Sequence, residues 1–264
     1  MNGEKEINFR GRMPDHSLEV VHSQKWVRVF FGGKAIADSR QALLLRRIVR
    51  TPVYYFPKSD VRMEYLSTGD RASESGKLGT ASYWNVQAGG KTAENAAWSY
   101  SDPDPEVPDL KDHIAFKWNK MDAWFEESEE VFVHPRDPYH RIDVLHSSRH
   151  IEVILGGEKV AESRRPALLF ETGLPVRYYL PKLDVRMDLL APSETITHCP
   201  YKGDASHFSA KVHGKTYRDI AWSYTFPHPE MFKIQNLICF YDERVDAVFV
   251  DGQEQEKPHT PWAN

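Results

Sequence analysis

The chain repeats itself, and this repeat constrains the fold more than any other feature of the sequence. VRVFFGGKAIADSR at 27–40 matches IEVILGGEKVAESR at 151–164, and GKTAENAAWSY at 90–100 matches GKTYRDIAWSY at 214–224. The same offset of 124 residues separates both matched pairs. An ungapped offset that holds over about 100 residues indicates two copies of one structural unit.

The two copies set the predicted organisation of the chain. Its 264 residues suit two domains of ordinary size. We place the first copy at 25–130 and the second at 149–252, with a polar leader (1–24), a linker (131–148) and a tail (253–264). The linker is rich in proline, histidine and arginine rather than in Gly and Ser, so we expect it to pack along the domains.

Strand signals dominate each copy. Runs of β-branched and aromatic residues joined at Gly32-Gly33, Gly156-Gly157 and His213-Gly214 predict β-hairpins. The segment LICFYDERVDAVFVDG (237–252) predicts another hairpin, which turns at Asp242-Glu243.

Two further segments complete the prediction. DVRMDLL (184–190) alternates well enough for a strand, and ALLFETG (167–173) is predicted as a short helix closed by its glycine. The predicted fold is mainly β: two tandem domains of short antiparallel strands with one short helix each.

Composition limits the class of protein. Lysine plus arginine is 34 and aspartate plus glutamate is 38, so the net charge of −4 gives no support to a nucleic-acid partner. The sequence holds no apolar run of the roughly 18 residues that a transmembrane helix needs, and its N-terminus lacks the apolar stretch of a signal peptide. Two cysteines make no disulfide framework. We therefore expect a cytoplasmic protein without a membrane partner; its oligomeric state stays open.

The turn around Cys199 is the best candidate for chemistry. Cys199-Pro200-Tyr201-Lys202-Gly203 reads as a tight turn that displays a thiol, a phenol and an ammonium group close together. A neighbouring lysine or histidine favours the reactive thiolate, so Cys199, Tyr201 and Lys202 are our candidate catalytic residues. The alternative is a structural turn with a small buried cysteine and solvated neighbours.

The first copy serves as an internal comparison. Ser75-Gly76-Lys77-Leu78 aligns with Cys199-Pro200-Tyr201-Lys202, whereas framework residues such as Trp98 and Tyr100 recur in the second copy. Cysteine, tyrosine and lysine are therefore not needed to build the domain. This favours an active second copy and a degenerate first copy.

Further residues could line a pocket in the second copy. Trp222 and Tyr224 point to the same face of a predicted strand and form either a ligand wall or core packing. Asp184 and Arg186 form either an ion pair between strands or a site for an anionic group. The predicted substrate-binding residues also include His207, Tyr179 and, from the linker, Tyr139, His140 and Arg141.

Metal and phosphate sites are not indicated. The sequence has no C-x-x-C pair, no H-E-x-x-H motif and no G-x-x-x-x-G-K-[ST] loop, so we predict no metal and no cofactor.

The segments PKLDVRMDLL, THCPYKGDAS, IAWSY and AENAAWSY resemble the DUF427 family, and specifically its tandem members. The resemblance extends from about residue 25 to the final HTPW. It implies a β-tent (Mss4-like) architecture, whose zinc-binding relatives carry two cysteine pairs that this sequence lacks. The family has also been labelled a nucleotidyltransferase domain. Asp102-Pro103-Asp104 is the nearest acidic pair, but the second copy has Phe226-Pro227-His228 there, so the residues do not support that label.

Two main hypotheses of function remain. In the first, the second copy is a transferase or hydrolase that acts on a small molecule in a pocket around Cys199, Tyr201 and Lys202. In the second, it is a non-catalytic module that binds a small molecule or a partner's side chain against the Trp222–Tyr224 face. A structural interaction protein without a pocket is a third possibility.

Overall fold

The computed structural model describes residues 18–47, 50–74, 78–103, 105 and 107–260. They divide into two compact units, one ending at Pro138 and the other beginning at Tyr139. No helix in this part of the chain has the length and apolar character that crossing a membrane requires.

The described residues of the first unit form two antiparallel sheets. Its strands are β1 (Glu19–His22), β2 (Val27–Phe31), β3 (Lys34–Ser39), β4 (Leu43–Arg47), β5 (Arg50–Pro57), β6 (Leu66–Glu74), β7 (Thr80–Ala88), β8 (Lys91–Tyr100), β9 (His113–Phe116), β10 (Ala123–Glu126) and β11 (Glu129–Glu130). One sheet has the order β1-β4-β5-β9-β8-β7-β6, and the other has the order β11-β10-β2-β3. Short 3-10 helices span Lys58–Asp60, Met63–Tyr65, Pro108–Leu110 and Trp118–Lys120.

The second unit repeats this plan. Its strands are β12 (Ile142–His146), β13 (Ile151–Leu155), β14 (Glu158–Ser163), β15 (Ala167–Glu171), β16 (Arg177–Leu180), β17 (Leu190–Cys199), β18 (Gly203–Val212), β19 (Lys215–Pro227), β20 (Ile238–Phe240), β21 (Ala247–Val250) and β22 (Gln253–Glu254). The sheet orders are β12-β15-β16-β20-β19-β18-β17 and β14-β13-β21-β22. Its 3-10 helices span Lys182–Asp184, Met187–Leu189 and Pro229–Ile234. The prediction of two tandem, mainly β units is confirmed; the β-tent comparison stays a prediction.

Each face of the larger sheet in the second unit covers its own core. One face packs on the smaller sheet through Leu180, Val212, Ala221 and other apolar residues that meet the inner side of β13 and β21. The opposite face carries Trp222 and Tyr224 and packs under the 3-10 helix Pro229–Ile234. Consecutive residues of β19 thus enter different cores, as the two-residue period of a strand requires. The second, smaller core includes Tyr224, which also belongs to the candidate site.

Three predicted hairpin turns are confirmed. β2 pairs with β3 across Gly32-Gly33, β13 with β14 across Gly156-Gly157, and β18 with β19 across His213-Gly214. All of these turn residues have positive φ. Positive φ at both central residues gives a turn whose twist matches that of the paired strands.

Three local predictions are wrong. The helix predicted at 167–173 is strand β15, which pairs with β12 on one side and β16 on the other. A short apolar run fits a buried strand as well as a helix, and here the two neighbouring strands decide. DVRMDLL does not form a strand: Asp184 ends one 3-10 helix, Met187–Leu189 form another, and Val185 between them bridges Ala161. The 237–252 hairpin does not form, because β20 pairs with β16 and β19 whereas β21 pairs with β13 in the other sheet.

The edge strands begin before the predicted domain boundaries. β1 lies within the segment assigned to the leader and pairs with β4. β12 lies within the segment assigned to the linker and pairs with β15 in the same way. The predicted linker therefore contributes a strand to the second unit, and the residues before this strand lie next to the candidate site.

Candidate functional site

The Cys199–Lys202 turn joins β17 to β18. Cys199 pairs in register with Gly203, whose φ of +98° lies in the region that favours glycine. The amide of His228 donates a hydrogen bond to the Lys202 carbonyl (3.1 Å), which ties the turn to the end of β19. Cys199 is partly exposed, whereas Lys202 is buried. The turn thus leaves Cys199 partly accessible and directs the lysine into the protein.

Lys202 ends at a carboxylate that the sequence prediction did not include. Its Nζ lies 2.5 Å from Oε2 of Glu171, and Nε2 of His140 lies 3.0 Å from Oε1 of the same residue. The side chain of Glu171 is 6 % exposed, that of Lys202 is 11 % and that of His140 is 17 %. A buried carboxylate is therefore shared by a lysine and a histidine from two other segments.

These partners control the charge of Glu171. Burial by itself raises the pKa of this carboxyl group, but the hydrogen bond from His140 and the charge and hydrogen bond of Lys202 outweigh it. The pKa of Glu171 therefore lies below its usual range. Glu171 stays ionised at neutral pH and holds both partners in place.

Tyr201 and Tyr224 complete the group. The ring of Tyr201 stacks on His140, with 4.3 Å between ring centroids. Tyr224 is buried, and burial, together with the nearby Cys199 and Glu171, raises the pKa of its hydroxyl far above the usual range. Tyr224 therefore remains a neutral phenol. The structure brings together predicted residues Tyr201, Lys202, His140, Tyr224 and Cys199.

The predicted aromatic wall is part of the smaller core. Nε1 of Trp222 donates to the hydroxyl of Tyr179 (3.1 Å), and the rings of Trp222 and Tyr241 lie 4.5 Å apart. Tyr179 is 1 % exposed and Trp222 is 8 % exposed. Tyr179 and Trp222 are therefore core residues of the second unit and do not form an open wall.

His207 is buried on the same sheet face, opposite Trp222 in the register. Its Nε2 lies 3.0 Å from Oγ1 of Thr197, and its Nδ1 has no hydrogen-bond partner among the described residues. Burial lowers the pKa of His207, so it is neutral at pH 7.

Two predicted residues, Asp184 and Arg186, lie elsewhere in the second unit, and two others, Tyr139 and Arg141, flank His140 in the chain. Asp184 accepts two hydrogen bonds from Arg165, which lower the pKa of its carboxyl group. Arg186 instead binds Asp188 on the surface. Arg141 contacts Asp143, and Tyr139 is exposed beside His140. The structure does not bring Asp184 or Arg186 together with the Cys199–Lys202 turn.

The first unit has a buried apolar residue at the position of Lys202. Leu78, which aligns with Lys202, is 2 % exposed and packs with Leu45, Tyr55 and Tyr100. The residues aligned with Cys199, Pro200 and Tyr201 lie outside the described residues. Arg47 occupies the position of Glu171 in the sequence. The two copies therefore carry opposite charges at this position, and this difference was visible in the sequence. The wrong helix prediction at 167–173 obscured it.

Two other features do not involve the predicted site. Side-chain ligand atoms of His150, Glu152 and Glu162 lie within 4.8 Å of one another. Nζ of Lys159 contacts both of these glutamates, at 2.9 Å and 2.5 Å, and so already occupies the space between their carboxylates. A shallow depression on the first unit is lined by Phe31, Thr92, Ala93, Glu94 and Lys120.

Comparison with known proteins gives a family. The model NTP_transf_9, described as a domain of unknown function (DUF427), matches residues 19–127 and 143–251. Each match covers most of both sheets of one unit, and only the short strands β11 and β22 lie beyond the matched residues. No curated protein matches the chain.

Proposed function

Because the chain belongs to the DUF427 family, a family of unknown function, we propose from its own chemistry that the second copy is a small-molecule transferase or hydrolase centred on Cys199. Lys202 and His140 are its acid–base groups, and Glu171 holds both of them. The proposal needs no metal and no cofactor, and its partner is a small organic molecule.

The shared Glu171 carboxylate carries this proposal. Burying a lysine and a glutamate costs desolvation energy that their attraction only partly offsets. The first unit has buried Leu78 in place of Lys202, so the fold does not require a lysine at this position. Chemistry at the adjacent Cys199 explains why the second unit retains the buried pair of Lys202 and Glu171.

The residue types suit acyl transfer. The Cys199 thiolate would add to an electrophilic acyl carbon, and the leaving group would depart with a proton from His140 or Lys202. Water or a second substrate would then release the acyl group from sulfur. The neutral hydroxyl of Tyr224 can donate a hydrogen bond to negative charge that develops beside Cys199.

Two other functions receive less support. A binding module with an aromatic cage needs exposed rings, whereas Trp222 and Tyr224 are buried. Nucleotidyl transfer, which the family model's name suggests, needs paired carboxylates, and the second copy has Phe226-Pro227-His228 at that position.

Alkylation of Cys199 by iodoacetamide at pH 7, followed by mass spectrometry, tests the proposal. Lys202→Met leaves the Glu171 charge uncompensated near the thiol, so we expect alkylation to slow by about threefold or more. Glu171→Gln leaves the lysine charge uncompensated, so we expect alkylation to accelerate. Cys239 is fully buried and burial raises its pKa, so it serves as the unreactive internal reference.

The controls separate chemistry from folding. Lys211→Met removes an exposed lysine from β18 and should leave the rate unchanged. The double variant Glu171→Gln/Lys202→Met removes both charges and should restore an intermediate rate with native circular dichroism. Equal rates in the wild type and both single variants would rule out an electrostatic role of this pair at Cys199.

A further inference from the structure

Two cations of the first unit lie over one tyrosine ring. The guanidinium carbon of Arg71 is 5.0 Å from the ring centroid of Tyr83, and Nζ of Lys117 is 5.1 Å from the same centroid. The hydroxyl groups of Tyr83 and Ser73 share a hydrogen bond (3.1 Å), which holds the ring in place. Arg71 belongs to β6, Tyr83 to β7, and Lys117 follows β9. The packing of three segments therefore brings the two positive charges to one ring.

No carboxylate neutralises these cations. Within the part of the chain that the structure describes, neither Arg71 nor Lys117 forms an ion pair. Burial, together with the positive charges of Lys120 and Arg71, lowers the pKa of the Lys117 ammonium group. Like charges in this arrangement repel each other, and an anion that contacts both of them offsets the repulsion. The pair is therefore suited to hold an anionic group.

An accessible tryptophan lies beside the two cations. Trp98 is opposite Tyr83 in the register of β7 and β8, so the two rings share one face of the sheet. Both rings pack on the same core and remain partly exposed. Nε1 of Trp98 donates a hydrogen bond to the hydroxyl of Tyr55 (3.0 Å), which fixes the indole. Aromatic surface next to two cations suits a ligand that has both a ring and a negative charge.

The second unit covers the equivalent tryptophan with an aromatic ring of its own. Trp222 is the counterpart of Trp98, and Tyr241 stands at the position of Lys117. The rings of Tyr241 and Trp222 lie 4.5 Å apart. Trp222 is buried, whereas Trp98 is only partly buried. A bound ring can therefore contact Trp98 in the first unit as Tyr241 contacts Trp222 in the second.

The backbone at this position is the same in both units. The amide of Lys117 donates to the carbonyl of Ala96 (2.7 Å), and the amide of Tyr241 donates to the aligned carbonyl of Ile220 (3.0 Å). The fold thus accepts either side chain here, and the lysine is not required to build the sheet.

We propose that the first unit binds a small aromatic anion, whose ring packs on Trp98 and whose carboxylate or phosphate group contacts Arg71 and Lys117. The planar guanidinium of Arg71 suits two-point contact with either acid group, and Lys117 adds a second charge. This inference goes beyond the proposed function, because it assigns a ligand to the copy that lacks the Cys199–Lys202 turn. It does not depend on the reactivity of Cys199.

Nuclear magnetic resonance of the full-length protein with 15N-labelled tryptophan tests the site. The indole signal of Trp98 is assigned with Trp98→Phe and followed during titration with 1-naphthoate, 1-naphthyl phosphate and uncharged 1-naphthamide. We expect a saturable shift with at least one anion, and the tighter of the two identifies the acid group. Naphthamide should bind about fivefold or more weakly, because it lacks the charge that both cations attract.

Variants separate the roles of charge and ring. Arg71→Gln and Lys117→Met should each raise the Kd of the tighter anion about threefold or more. Lys117→Tyr introduces the ring found in the second unit and should abolish binding, whereas Lys111→Met removes an exposed lysine and should leave the Kd unchanged. An unchanged indole signal of Trp84, which is bound to Ser99, shows that each variant is folded.

Two results would overturn the aromatic anion site. One is the lack of a saturable Trp98 shift with both anions, and the other is naphthamide binding as tightly as they do. Either result leaves the proposal for Cys199 untouched, because that proposal is tested by alkylation in the second unit.

Discussion

Single residues differ between the copies in ways that the hydrogen bonds explain. In the first unit Nε1 of Trp84 donates to Oγ of Ser99 (3.1 Å). The second copy has Phe208 in place of this tryptophan, and the aligned hydroxyl of Ser223 is buried without a hydrogen-bond partner among the described residues. A buried hydroxyl without a partner costs free energy, so the same serine stabilises one copy and destabilises the other.

This difference predicts opposite effects of one substitution. Ser223→Ala should raise the free energy of unfolding of the second unit by about 1 kcal/mol, and Ser99→Ala should lower that of the first by a similar amount. Urea unfolding checks both. Pulsed alkylation of buried Cys239 reports on the second unit, and tryptophan fluorescence is dominated by the first, which has most of the tryptophans. Changes of the same sign in both units would contradict this explanation.

At the scale of elements, the hairpin turns of the first unit contact each other through their backbones. A Cβ atom added to Gly89 would lie 2.1 Å from the carbonyl oxygen of Gly32, and φ of Gly89 is +57°. The second unit has His213 at the aligned position, with φ of +46° and its Nε2 3.2 Å from Glu158. The two units therefore share a turn type but differ in the space beside it.

Exchanging these turn residues should have unequal consequences. Gly89→His forces the two turns of the first unit apart, and we expect a loss of about 2 kcal/mol or more in its free energy of unfolding. His213→Gly removes only a surface ion pair and a strained φ, so we expect a change within about 1 kcal/mol. Denaturant unfolding of both variants measures these changes in the free energy of unfolding. A tolerated Gly89→His would show that the turns separate at little cost.

At the scale of the whole molecule, buried ionisable groups of the second unit give its stability a defined pH dependence. Nη1 of Arg177 lies 3.8 Å from Oδ2 of Asp242, but burial dominates and raises the pKa of Asp242 to about 7. Such a carboxyl group stabilises the folded state below its ordinary pKa, and this contribution is lost as the pH rises towards 7. Glu171, with its lowered pKa, acts in the opposite direction: its contribution is present above its ordinary pKa and is lost as the pH falls through the lowered value.

Asp242→Asn should therefore flatten the pH dependence of the second unit. Between pH 4.5 and 7.5 we expect the wild type to lose on the order of 3 kcal/mol relative to this variant, since one unit of pKa difference corresponds to about 1.4 kcal/mol. Protection of Cys239 from alkylation in urea, measured at three pH values, gives the free energy of unfolding of each protein. Asp246→Asn, which changes an exposed neighbour, is the control. Parallel curves for the wild type and Asp242→Asn would show that Asp242 is ionised throughout this range.

The sequence by itself determined the duplication, the mainly β class and the hairpin turns at Gly32-Gly33, Gly156-Gly157 and His213-Gly214. These features depend on local preferences of a few neighbouring residues, and such preferences can be read along the chain. The comparison of copies also identified Cys199, Tyr201 and Lys202 as differences that the fold does not need.

Only the tertiary structure decided which of these residues meet. Glu171 reaches His140 because β15 lies beside β12 in the large sheet, and it reaches Lys202 although the β17–β18 turn belongs to strands near the other end of the strand order. Such contacts between residues distant in sequence depend on the packing of the entire sheet. The same packing buried Trp222 beneath the 3-10 helix Pro229–Ile234 and separated β20 from β21 into different sheets. Burial and strand order minimise the free energy of the whole unit, so no single segment of the sequence specifies them.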